Sequence, residues 1–118
     1  MSVSVAAPAR NTALQGKQNT CGFLNFLTNI SPDCDCFSWD DTPISPDLGI
    51  LASKDAVAIG QASVNMVNKA PGLPNSVLTN LAAEDKIREA TGVNWEPILI
   101  HGEKIGLGTR RLKQVNVK

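Results

Sequence analysis

The sequence has no excess of either charge, since 11 lysines and arginines face 11 aspartates and glutamates in 118 residues. With no bulk field to draw the chain toward phosphate backbones or anionic lipid, neither nucleic acid nor a membrane is an expected partner, and recognition is local. Long apolar runs are also missing. The opening MSVSVAAPAR lacks the basic start and sustained apolar stretch that a secretory signal needs. A cytoplasmic setting is therefore expected. Cysteine is scarce and odd in number, three in all, which argues against a disulfide framework and for thiols that are free or metal-bound in a reducing compartment. No internal repeat or low-complexity tract interrupts a composition, 42% hydrophobic and 19% charged, that belongs to an ordinary folded domain. At this length one modest core is the expectation.

The pattern along the chain divides it into a flexible leader, 1–20, and a single α/β domain, 21–118. Residues 1–20 show neither helical nor strand periodicity. CGFLNFLT, residues 21–28, concentrates Phe23, Leu24, Phe26 and Leu27 between a glycine and NISPD, which predicts a strand buried on both faces. Residues 29–47 hold Pro32, Pro43 and Pro46 among five aspartates and form a long loop. DLGILAS then gives a second apolar run, and KDAVAIGQASVNMVNKAPG sets Ala56, Ile59, Met66, Val67 and Ala70 at helical spacing. Ser53 is the expected N-cap, and Pro71 with Gly72 the stop. A strand running into a helix through a tight turn is half of a β-α-β crossover, so the expected sheet is small and mostly parallel, with flanking helices. Such sheets bind ligands at the strands' C-terminal ends. Beyond it, SVLTNLAAEDKIREATG predicts a second helix with a Glu84–Arg88 pair and a stop at Gly92. NWEPILIHGEKIGLG predicts a third with Pro97 in its first turn. RLKQVNVK alternates as an edge strand does.

The residue types that carry chemistry are concentrated in SPDCDCFSWDD, residues 31–41. Cys34 and Cys36 lie two apart, so an irregular loop can aim both at one cation, and thiolates select zinc or iron over magnesium. Completing such a site requires Cys21, His101 or a carboxylate from Asp33, Asp35 or Asp40. The plainer reading is a pair of incidental thiols, because C-x-C is a far weaker signal than paired C-x-x-C. Asp47, Ser53 and Asp55 form a second candidate, a sheet-edge site binding a ligand or magnesium, with a turn residue and helix-start residues as the plainer account. His101 alone reads as a surface or packing residue. GLGTRR admits a phosphate-loop reading, but strand, loop and helix come in the wrong order for one, and a helix C-cap with its turn is more economical. Trp39 and Trp95 have no basic stripe beside them and read as packing anchors.

Three stretches, LNFLTNISPDCDC, then PISPDLGILASKDAVAIGQAS, then Trp95 followed by EKIGLG, resemble the C-terminal part of the domain-of-unknown-function family numbered 362. The resemblance runs over roughly residues 22–110. Family members with a ferredoxin-type segment bind two four-iron four-sulfur clusters through C-x-x-C-x-x-C runs, and no such run is present here. Positions that match are Cys34, Asp35, Cys36, Asp47, Ser53, Asp55, Gln61, Glu103 and Gly106. Gly60 and Asn65 stand where the family usually carries aspartates. The resemblance implies an accessory or redox-associated module, with a ferredoxin-like or other redox protein as partner. An intact four-iron cluster is not expected, because three cysteines cannot supply four thiolates. The alternative is a small ligand-binding or enzymatic domain working through Asp47, Ser53 and Asp55.

Overall fold

The computed structural model describes residues 21–32 and 41–117. The expected leader at 1–20 and the Cys34–Cys36 pair, with Asp33, Asp35, Trp39 and Asp40, lie outside the described residues. Two strands, β1 (Phe23–Leu27) and β2 (Gly49–Ser53), are followed by helices α1 (Ala56–Lys69), α2 (Lys86–Thr91) and α3 (Glu96–Lys104). The class is α/β, as the apolar patterning predicts.

The pairing of the strands differs from expectation. β1 and β2 are antiparallel, in a register that sets Phe23 opposite Ser53 and Leu27 opposite Gly49. The connection between them folds back on itself through a bridge between Ile30 and Ser45. There Ile44 N–H donates to the Ile30 carbonyl at 2.9 Å and Leu48 N–H to that of Leu27 at 2.8 Å. The chain thus re-enters the sheet in the opposite sense. A parallel crossover would need a strand after α1, and the chain instead turns at Pro71 and Gly72 into a run of turns.

α1 packs against β1, β2, α2 and α3, and most of its circumference is buried. A helix with that many neighbours requires small or apolar residues nearly all round, which AVAIGQASV supplies. Its lower half joins Leu27, Ile30, Ile44, Val67 and Leu78 in the core, with Leu51, Met66 and Ile87 packed at the margin. Leu27 and Val67 are fully enclosed, and burying a side chain of that size contributes about 1.5–3 kcal/mol. Among the described residues, helices cover one face of the sheet. Leu24, Phe26 and Ile50 on the other face remain 61–63% exposed, so β1 is buried on one face rather than two.

Two further expectations are corrected. The helix expected across residues 76–92 is confined to Lys86–Thr91, because the preceding residues satisfy their backbone locally. Ser76 Oγ donates to the Leu73 carbonyl and accepts the Leu78 N–H, and Asn80 Oδ1 accepts the Ala82 N–H. Such side-chain bonds compete with helical ones. Arg88 meets Asp85 and Glu96, each at 3.6 Å. Residues 111–117 have no regular secondary structure where an edge strand was expected. α3 begins as expected with a proline in its first turn.

Candidate functional site

Ser53 is not the N-cap of α1; that position belongs to Asp55, whose extended backbone lets its carboxylate turn back over the first helical turn. Asp55 Oδ1 accepts the N–H groups of Val57 and Ala58, both at 2.9 Å. Ser53 Oγ accepts the Asp55 N–H at 2.9 Å and so orients the cap. The second oxygen, Oδ2, accepts the backbone N–H of Thr109 at 2.9 Å. One carboxylate therefore closes a helix terminus and anchors the turn that follows α3.

That turn is built from the GLGTRR sequence. Gly106, at φ 77°, ends α3 in the left-handed conformation, with Gly106 N–H on the Glu103 carbonyl and Leu107 N–H on that of Gly102, as helix C-caps do. Gly108 faces Asp55 so closely that a Cβ there would overlap the carboxylate. Glu103 then reaches forward from the last turn of α3: its Oε2 accepts Arg110 N–H at 2.7 Å and Thr109 Oγ1–H at 3.2 Å. The Arg110 amide is the main cause that holds the Glu103 carboxyl below its usual range, with the Thr109 hydroxyl adding to it. Of the amides that a phosphate loop would offer to an anion, those of Thr109 and Arg110 are therefore bonded to the protein's own carboxylates and those of Gly106 and Leu107 to backbone carbonyls of α3.

Arg110 Nε donates to Gln61 Oε1 at 2.9 Å, and Gln61 Nε2 donates to Asn65 Oδ1 at 3.0 Å. Glu96 lies 4.0 Å from the guanidinium. Ser53, Asp55, Gln61, Glu103 and Gly106, far apart in the chain, thus gather at one junction. Sequence reasoning singled out those five and missed Thr109, Gly108 and the pairing of Arg110 with Gln61. The signal available was the second glycine of GLG, a residue without a side chain where the backbone must approach a carboxylate.

Asp47 lies elsewhere. Its Oδ1 accepts the Asn29 N–H at 2.9 Å beside the end of β1, and the length of β2, about 16 Å, separates it from Asp55. Asp47 and Asp55 do not form one sheet-edge site. Cys21 is half-buried just before β1, and His101 is exposed in the last turn of α3. Among the described residues no group of three His, Cys, Asp or Glu side chains could hold a metal ion. No helix among them is long and apolar enough to cross a membrane.

Residues 9–65 match the model of a family described as Domain of unknown function (DUF362). Over that segment the chain is similar to the family. No curated protein and no solved structure matches the chain. The DUF362 match includes β1, β2 and α1 as far as Asn65, and so takes in Asp47, Ser53, Asp55 and Gln61. Of the two positions where aspartates are usual in the resemblance, Gly60 is buried and Asn65 is exposed and accepts from Gln61. An ionised carboxylate at the first would carry a desolvation cost unless paired. The residues that complete the junction, Glu103 to Arg110, follow the matched DUF362 segment.

Proposed function

We propose that this chain is an accessory, redox-associated α/β module that works beside a ferredoxin-like or other redox protein and carries no intact four-iron cluster of its own. The redox association rests on the resemblance of its strand, loop and helix motifs to the C-terminal part of iron-sulfur members of the family. What favours an accessory role over the alternative, a ligand-binding or enzymatic domain using Asp47, Ser53 and Asp55, is the engagement of Asp55. Its two oxygens accept three backbone amides, which makes it a fastener of the fold rather than a base or ligand awaiting a substrate. A four-iron cluster does not fit the donor set, which holds three cysteines in 118 residues. Any metal held by Cys34 and Cys36 would be zinc or ferrous iron.

The reading is tested on anaerobically purified full-length chain by iron, zinc and acid-labile sulfide analysis, followed by titration with a two-cluster ferredoxin monitored by NMR. The expected result is iron far below four per chain and saturable chemical-shift changes with the ferredoxin. About four irons with matching sulfide and a charge-transfer absorption would overturn it, as would a ferredoxin titration that moves no resonance. The double change Cys34→Ser and Cys36→Ser should abolish any zinc binding, which should weaken as pH falls because protons compete for the thiolates.

A further inference from the structure

β2 pairs on one side with β1, and among the described residues its other side has no strand partner. A groove of about 610 Å³ runs beside it, lined by β2, by Ala58, Ile59, Ala62 and Met66 of α1, and on the far side by residues 112–117. The course of that far wall is fixed by its contacts. Thr109 is held at Asp55 and Arg110 at Gln61, Gln114 Nε2 donates to Met66 Sδ at 3.4 Å, and Asn116 shares a hollow with Leu48. The segment therefore descends from the end of β2 toward its beginning, antiparallel to it.

We propose that residues 112–117 are a strap that closes onto the free edge of β2 as a third, antiparallel strand. Three observations select this occupant over any other chain. The segment already forms the opposite wall of the groove in the required direction. Its six residues span about 20 Å when extended, the length of Leu48–Ser53. Its alternation suits a strand: Gln114 faces α1, which sets Leu112 and Asn116 on the same side and directs Val115 and Val117, now 71% and 93% exposed, to the face that carries Leu24, Phe26 and Ile50. Closure supplies partners to the outward N–H and C=O groups of β2, which otherwise form an open edge, and covers the apolar floor of the groove.

The test is NMR on the full-length chain. Closure predicts cross-strand NOEs between residues 48–53 and 112–117 in antiparallel order, together with slow exchange of the β2 amides that β1 does not take. In the full-length Gln114→Pro, Val115→Pro variant those amides should exchange at least tenfold faster, while the β1–β2 NOEs persist. The proposal is overturned if β1–β2 NOEs are observed without any to 112–117, or if the proline variant leaves exchange unchanged. It is equally overturned if a mixture of labelled and unlabelled chains shows that the NOEs arise between molecules, which would make a second copy the occupant.

Discussion

Asp55 and Thr109 are 54 residues apart in sequence and joined by one hydrogen bond of 2.9 Å from the Thr109 amide to Asp55 Oδ2. Because the same carboxylate caps α1, the start of the central helix and the turn after the last helix share a single acceptor. Replacing Asp55 with alanine removes a cap, worth about 0.5–2 kcal/mol, and also the exposed bond to the Thr109 amide, for a total of about 1–3.5 kcal/mol. Urea unfolding should show a lower midpoint at an unchanged m-value, and Asp55→Asn should fall between alanine and wild type.

Gly108 should be intolerant of any side chain, because a Cβ would overlap the Asp55 carboxylate. Gly108→Ala is expected to cost about 1–3 kcal/mol, the range of an overpacked site. Since the clash is with Asp55 itself, Gly108→Ala added to Asp55→Ala should cost much less than Gly108→Ala alone. A double-mutant cycle measures that coupling directly, and simple additivity would contradict the contact.

Lys86 is buried at the start of α2, with its Nζ donating to the carbonyls of Asn68 at 2.6 Å and Ala83 at 3.0 Å, while its own amide donates to Asn68 Oδ1 at 3.0 Å. The ammonium thus closes the last turn of α1 and ties it to α2. Lys86→Met keeps the aliphatic stem but leaves both carbonyls unmet, and should lower stability by about 1–3 kcal/mol in thermal unfolding. Asn68→Ala should loosen the same joint from the other side.

Stability should fall in acid through two surface carboxylates. The Thr79 hydroxyl, then the Asn80 amide, hold Glu89 below its ordinary value of 4.5, and the Arg110 amide does the same for Glu103. Each is a stronger acid folded than unfolded, so its contribution is fully present above the unfolded value and is lost as pH falls through the folded one. Unfolding midpoints measured from pH 7 down to pH 3 should decline below about 4.5. Glu89→Gln together with Glu103→Gln should flatten that decline.

How much of this was legible in the sequence depends on the range of the interaction. α1 and its stop were readable because apolar spacing and Pro71 are local signals, and the two strands were readable as apolar runs between turn residues. Their antiparallel pairing was not, since it is set by the return of the chain from Ile30 to Ser45, a contact that leaves no periodic mark. The shortening of α2 had a partial signal in Ser76 and Asn80, whose side chains compete for backbone groups. The junction at Asp55 was half visible. Its members stood out through the resemblance, whereas their convergence depends on how α3 packs beside α1 through Gly102, whose missing side chain admits Val57.

The family-model match stops at residue 65, part-way along α1, whereas the helix continues to Lys69 and its last turn is tied to Lys86. The boundary of the matched segment thus falls inside the central packing element. A protein cut at that boundary would carry both strands and the first turns of α1 but neither the Thr109 anchor nor the Lys86 joint. The matched segment and the packed unit therefore end at different places in this chain.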